Sequence, residues 1–308
     1  MQVPLGVPVN DPSKVCKLRK SLYGLKQASR KWYERLSKLL LCLGFVQAQG
    51  DHTLFTHSTP DSFLALLVYV DDIVLVGNSL SRIDHLKQIL NSHFGIKNLG
   101  LLKKFLGIEV AHSSKGISLC QRQYCLRLLE DTGMFHCKPA QTPSDHHFRL
   151  HQDTGPFHDD AAGYRRLVGR LLYLTTTRPD IAFATQQLSQ FMACPKACHY
   201  QVAIRVLRYL KGAPGRGLFF PRSSDLQLLG FSDADWGSCP DSRRSISGYC
   251  FFLGQSLICW RAKKQATVVK SSSEAEYRAL ASATCELQWL QYLLNDLHLQ
   301  CSSFCSLL

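Results

Sequence analysis

Two pairs of acidic residues are the groups in this sequence best placed to do chemistry. Asp71 and Asp72 stand side by side between the apolar runs 64–70 and 73–76. Adjacent carboxylates repel each other, by roughly 4 kcal/mol at about 4 Å and an effective dielectric of about 20. A chain that presents them at the end of two apolar strands therefore calls for a cation. Mg²⁺ takes one or two carboxylates together with phosphate oxygens. Two such ions would stabilise both the attacking and the leaving oxygen of a phosphoryl transfer. An isolated pair of aspartates is more often a solvated turn, and the flanking apolar strands bring the two readings level.

The second pair is Asp233, in Phe231-Ser232-Asp233-Ala234-Asp235-Trp236, and Glu276, in Ser271-Ser272-Ser273-Glu274-Ala275-Glu276. Ser271 and Glu274 have the spacing of a capping box. Acids in a first helical turn also complement the helix dipole, so Glu276 alone reads as an ordinary helix start. An acid at the end of a central strand and another opening the following helix could, however, share metal ions.

Residues 63–77 must position the first pair, and they read as a hairpin with its carboxylates at the tip. Before it, apolar residues from Leu22 to Leu43 recur at helical spacing, with a turn near Gly24 and an end near Gly44. A short segment follows at 53–57. After the hairpin come a helix at 82–94, a second hairpin at 105–119 and a helix at 121–133. Residues 142–160, rich in Pro, His, Asp and Gly, read as a linker. Helices are expected at 164–174, 179–192 and 199–211. Three strands then fall at 226–233, 246–253 and 257–260, with a long helix from Ser271. Strands followed by a helix imply an α/β unit with its own sheet, and the whole chain is an α+β protein.

Lys and Arg number 36 against 23 Asp and Glu, a net charge of +13, which favours polyanionic partners. No apolar run reaches the roughly 20 residues that span a bilayer, and the first residues lack the pattern of a signal peptide. No membrane association and an intracellular location, cytoplasmic or nuclear, are expected. The 13 cysteines form no Cys-x-x-Cys pair. Cys194, Cys198 and His199 come nearest to a zinc cluster but lack a fourth ligand.

Several segments resemble the polyprotein of copia-type LTR retrotransposons, in family order along nearly the whole chain. Tyr69-Val70-Asp71-Asp72 is similar to the palm motif of reverse transcriptases. The stretches 20–32, 104–110, 171–180 and 208–212 resemble family segments around it. Ser242-Arg243-Arg244-Ser245-Ile246-Ser247-Gly248-Tyr249 and 256–260, with both acidic segments of the second pair, are similar to the family's RNase H. The resemblance implies a plant-element fragment divided into a partial reverse transcriptase (1–143), a linker and helical thumb or connection (144–222) and a partial RNase H-like domain (223–308). It implies Asp71, Asp72, Asp233 and Glu276 as catalytic and metal-binding residues, with Mg²⁺, or Mn²⁺, as cofactor. Lys26, Gln27 and Arg30 would lie near nucleotide or template, although a solvated helix face explains Lys26 and Arg30 equally well. Trp32 and Tyr33 could stack on bases, but their helical spacing favours the core. RNA template, DNA primer, dNTPs and RNA–DNA hybrid would be the partners.

The resemblance also implies that each acidic set has further members. A third palm aspartate belongs on a strand preceding this sequence, and Asp11, Asp51 and Asp61 are poor substitutes. Further RNase H aspartates belong beyond the long helix, where Cys301-Ser302-Ser303-Phe304-Cys305-Ser306-Leu307-Leu308 resembles nothing in the family and reads as out-of-frame or misspliced sequence. The expectation is an RNA-directed DNA polymerase with ribonuclease H that is weakly active or inactive as this chain alone. The alternative is a non-catalytic nucleic-acid-binding remnant.

Overall fold

The computed structural model describes residues 24–145, 150–152, 155–299 and the backbone of 306–307, together with 3, 6–8, 11, 13, 15–19 and 22. Lys20, Ser21, Tyr23 and most of the C-terminal tail, all noted above, lie outside the described residues. The chain is mixed helix and sheet, as expected, and divides into two compact units at Asn98/Leu99.

The first unit opens with α1 (Ala28–Cys42), which follows Gly24 at φ +84° and ends before Gly44 at φ +84°. Glycine adopts this left-handed backbone without a Cβ clash, so it marks both turns. Strands β1 (Val46–Gln47), β2 (Leu54–Thr59), β3 (Ser62–Tyr69) and β4 (Asp72–Gly77) form an antiparallel sheet in sequence order. Helix α2 (Leu80–Phe94) follows and stops at left-handed Gly95. Leu36 and Leu40 of α1, Phe55 of β2, Leu64, Leu66 and Val68 of β3, and Leu86 and Leu90 of α2 form one core. Each such side chain contributes about 1.5–3 kcal/mol on leaving water. Trp32 and Tyr33 pack against this core, Trp32 edge-on to Phe94 at 6.2 Å, as their spacing implied.

The second unit begins with β5 (Lys104–Phe105), β6 (Ile108–Ser113) and β7 (Gly116–Cys120), then α3 (Arg122–Asp131). Helices α4 (Ala161–Leu174), α5 (Ala182–Ser189) and α6 (Ala197–Gly212) form a core with α3 through Leu128, Leu129, Tyr164, Leu171, Leu188 and Leu207. Strand β8 (Leu218–Pro221), absent from the sequence reading, pairs antiparallel with β7. Gly116 is required at this junction because a side chain there would run into the Phe220 carbonyl. The segment expected as a linker is partly packed: Leu150 is buried, and Asp160 caps α4 by accepting from the Gly163 amide at 2.7 Å. The break at Asn98 falls inside the segment 1–143, and α3 packs with α4–α6.

The last strands are β9 (Leu228–Ala234), β10 (Ile246–Leu253) and β11 (Ser256–Lys264), followed by α7 (Ser272–Asp296) and β12 (Ser306–Leu307). Their order in the sheet is β11-β10-β9-β12, antiparallel except for β12, which runs parallel to β9. Helix α7 packs across β9 and β10, burying Ala283, Leu290 and Leu294 against Leu228 and Phe251.

A buried ion pair ties the middle of this unit together. Arg178, only 2% exposed, donates through Nε and Nη2 to Asp180 at 2.9 and 2.8 Å and through Nη1 to the Ala213 carbonyl at 2.9 Å. Tyr209 donates its hydroxyl to the same carboxylate at 2.7 Å. Burial alone would raise the Asp180 carboxyl, but the Arg178 and Tyr209 hydrogen bonds outweigh it and hold the group below the usual carboxylate range. The segments 171–180 and 208–212, which resemble family motifs, therefore meet in a scaffold contact. Asp180→Asn strands a buried guanidinium and should cost about 3–5 kcal/mol, read as a lower denaturant midpoint. The stabilisation from the depressed carboxyl is complete above the unfolded value near 3.9 and is lost as pH falls through the folded one. The acid limb of the stability curve should therefore flatten in the Asn variant.

Candidate metal centres

The first acidic pair sits where β3 turns into β4. Tyr69 pairs with Asp72 across the hairpin, so Val70 and Asp71 form a two-residue turn. Such turns require positive φ, and Val70 adopts φ +49°, a conformation rarely taken by β-branched residues. The turn thus holds local backbone strain next to the two carboxylates. Asp71 and Asp72 are both exposed, as are Tyr69 at 51% and Val70 at 56%. Among the described residues neither carboxylate takes part in an ion pair. Water therefore screens their repulsion more than a buried tip would allow.

Other acids of the first unit do not complete the set. Asp51 leads into β2 near the same end of the sheet, but its carboxylate already accepts from the Thr53 amide at 2.8 Å and hydroxyl at 2.7 Å. Asp61 lies in the turn at the opposite end of the eight-residue β3, roughly 25 Å away at the rise of a strand. Asp11 accepts from the Ser13 amide and hydroxyl at 2.9 and 2.7 Å. Lys26, Gln27 and Arg30 cluster at the exposed start of α1, where Gln27 is the N-cap residue without a side-chain cap. Arg30 is 73% exposed and bonds Glu34 one turn along at 3.2 Å. No described hydrogen bond joins these three residues to the hairpin tip.

At the second pair, each motif divides its acids between structure and solvent. Asp235 accepts from the Ser238 hydroxyl at 2.6 Å and the Ile246 amide at 2.9 Å, closing the loop between β9 and β10. Glu274 accepts from the Lys270 amide at 2.9 Å and from Arg278, while its own amide donates to Ser271 Oγ at 3.1 Å. The hydrogen bond from the Lys270 backbone N–H, aided by Arg278, holds its carboxyl below the usual range. Asp233 and Glu276 are exposed and in no ion pair among the described residues. Asp233 lies opposite Gly248, which in turn pairs with Ala262, so no large side chain crowds it from the neighbouring strands. Ala234, Val269, Ala275 and Ala279 pack as one small cluster. That cluster brings the end of β9 to the start of α7, with Asp233 and Glu276 each one residue from a member. Strand alternation sets Asp233 on the face opposite Ala234.

Residues 1–146 match the family described as reverse transcriptase (RNA-dependent DNA polymerase). The chain is 43% identical over 98% of its length to the retrovirus-related Pol polyprotein from transposon RE2 of Arabidopsis thaliana, covering 21% of that protein. It is 36% identical over 92% of its length to the corresponding polyprotein from transposon TNT 1-94 of Nicotiana tabacum, covering 22%. It is also 34% identical over 93% of its length to the putative transposon Ty5-1 protein of Saccharomyces cerevisiae, covering 94%. The chain belongs to the reverse-transcriptase family of transposon Pol polyproteins. It spans about a fifth of the length of the two plant polyproteins. No solved structure matches.

Reverse transcriptases generally use divalent metals, and the donor chemistry of this reverse transcriptase domain suits them. Two unengaged oxygen donors at a turn match the hard-cation preference of Mg²⁺, which completes its shell with water and phosphate. No group of three or more metal ligands occurs among the described residues. The Cys194, Cys198 and His199 alternative fails for a specific reason. His199 Nδ1 accepts from the Lys196 amide at 3.0 Å, leaving Nε2 to donate to the His151 carbonyl at 2.8 Å, so both ring nitrogens are used. No helix is long and apolar enough to cross a membrane among the described residues.

This division of the acids predicts unequal effects on stability. Asp71→Asn, Asp72→Asn, Asp233→Asn and Glu276→Gln should each shift the unfolding free energy by less than about 0.5 kcal/mol. Asp235→Ala should lose about 1–3 kcal/mol through orphaned donors, and Ser271→Ala about 1 kcal/mol through the lost cap. Urea unfolding of the six variants checks this, and equal losses in both groups would contradict it.

Proposed function

We propose that the Asp71–Asp72 hairpin is the palm tip of an RNA-directed DNA polymerase of the copia type, and that β9–β12 with α7 form an RNase H-like domain. The observation that carries the first part is an exposed, unengaged Asp-Asp turn built on a buried apolar hairpin within a reverse-transcriptase family domain. A sheet of three antiparallel strands, a long helix and a parallel strand beside the first supports the second part. The parallel strand β12 carries no acid, since it consists of Ser306 and Leu307.

In this reading Asp71 and Asp72 would hold divalent metal, Mg²⁺ or Mn²⁺, at the polymerase site, and Asp233 and Glu276 at the nuclease site. When bound, the metal stabilises charge on the attacking and leaving oxygens of phosphoryl transfer. The chain's own part is to keep these carboxylates solvent-facing and held in place by the turn at Val70 and the Asp235-closed loop. Lys26, Gln27 and Arg30, exposed at the start of α1, would contact nucleotide or template. RNA template, DNA primer and dNTPs are the substrates of the first site, and RNA–DNA hybrid that of the second. One observation favours the alternative of a non-catalytic nucleic-acid-binding remnant: each site offers two unengaged acids and no group of three among the described residues.

Primer extension on an RNA template with Mg²⁺ or Mn²⁺ separates the two readings. The catalytic reading expects Asp71→Asn to lower extension at least about a hundredfold, equivalent to about 2.7 kcal/mol of transition-state stabilisation. Absence of extension by the unmodified chain, combined with hybrid binding that weakens steeply with salt, would instead establish the remnant.

A further inference from the structure

One sulfur outside both acidic sites sits among groups that suit nucleophilic chemistry. Cys239 lies in the loop between β9 and β10 and keeps only 6% of its surface exposed. Ser242 Oγ donates to its Sγ at 3.1 Å, and Lys264 Nζ, at the end of β11, donates to it at 3.6 Å. Gln190 Oε1 accepts from the same ammonium at 2.7 Å, which holds Lys264 against the sulfur. The backbone closes around the residue. The Cys239 amide donates to the Arg244 carbonyl at 3.2 Å, and the Arg243 amide to the Cys239 carbonyl at 2.8 Å. Ser242 and Lys264 are both partly exposed, so the sulfur lies one side chain away from solvent.

The charge around this sulfur favours its thiolate. Burial alone would raise the Cys239 thiol, but the Ser242 hydroxyl and amide and the Lys264 ammonium outweigh it and hold the group below its ordinary value. The thiolate, not the thiol, is the nucleophile, and a neighbouring cation is a common means of populating it. Cys259, on the same strand as Lys264, is the opposite case. Its Sγ donates to Glu286 Oε1 at 3.3 Å, and burial together with that carboxylate pushes its thiol up to about 12. Cys125, in the helical core, is pushed up to about 11 by burial. Cys239 therefore differs from both in the sign of its surroundings.

We propose that Cys239 and Lys264 form a covalent modification site, at which hydrogen peroxide joins the facing sulfur and nitrogen in a sulfenamide bridge. The thiolate attacks one peroxide oxygen, the O–O bond breaks, and a sulfenic acid forms as hydroxide leaves. Lys264 protonates that hydroxide to water and becomes a neutral amine facing the sulfur. The amine attacks the sulfur, the S–O bond breaks, and the second oxygen departs as water with a proton from the nitrogen. Sulfur is oxidised by two electrons, both peroxide oxygens end as water, and no further reagent is consumed. Sulfenic acids condense with a backbone nitrogen in the same way. The bridge ties the loop after β9 to the end of β11, with β10 between those strands, and a thiol reverses it.

The test treats the full chain with hydrogen peroxide, blocks the remaining thiols, and reads digested peptides by mass spectrometry. The expected product joins the Cys239 peptide to the Lys264 peptide, lighter than the two together by one molecule of hydrogen. Dithiothreitol should separate them. Cys239 should be consumed at least about tenfold faster than Cys259, because oxidation follows thiolate character. Lys264→Arg keeps a cation beside the sulfur but offers no amine to close the bridge. Dimedone should then trap Cys239 as its sulfenic acid, an adduct that the unmodified chain yields far less of. Consumption of Cys239 no faster than Cys259 would overturn the proposal. So would equal dimedone adducts in the unmodified chain and Lys264→Arg, with no joined peptide in either. The joined peptide and the comparison of Cys239 with Cys259 are both read in the unmodified chain, so they decide if Lys264→Arg fails to fold.

Discussion

The closing pair of Tyr69 and Asp72 governs the first acidic site, because it sets one carboxylate in a two-residue turn and the other at the strand position that closes it. Neither acid has a protein cation to balance it among the described residues, so the backbone must hold what electrostatics would separate. The buried row of Leu64, Leu66 and Val68 beneath the turn fixes that backbone, and Phe55, Leu36 and Leu40 fix the row. Val70 in a left-handed conformation is the local cost of the arrangement. Exposure lowers the repulsion, and it also leaves every carboxylate oxygen open to an incoming cation.

The second acidic site solves the same problem with different materials. Here each motif spends one acid on structure and leaves one for solvent. Asp235 and Glu274 satisfy loop and cap donors, and this fixes the backbone around Asp233 and Glu276. Three alanines and a valine let α7 approach β9 closely enough to join the two segments. Gly248 and Ala262 keep the neighbouring strands low beside Asp233.

Local features were legible in the sequence, and distant pairings were not. The 63–77 hairpin announces itself by apolar runs on both sides of an acidic turn, and the Ser271–Glu274 capping box by its spacing. Strand β8 is different: three apolar residues after a glycine-rich break have no periodicity, and its partner β7 lies a hundred residues earlier. The break between the two compact units has no counterpart in composition. Residues 142–160 look like a linker, yet Leu150 and Asp160 are engaged in packing and capping, whereas the break after Asn98 carries no such signal. The segments 171–180 and 208–212 stood out only by resemblance, because the Arg178–Asp180–Tyr209 contact that joins them spans 29 residues between Asp180 and Tyr209. The roles of Asp235 and Glu274 became readable only once their donors were in place.

The central claim is that the hairpin tip is a divalent-cation site made by Asp71 and Asp72. Titrating the chain with Mn²⁺ and following free ion by electron paramagnetic resonance measures this without reference to turnover. The account predicts a binding component that disappears in the Asp71→Asn/Asp72→Asn double variant and persists in Asp61→Asn, at the far end of the same strand. Mn²⁺ binding that is unchanged in the double variant would contradict it.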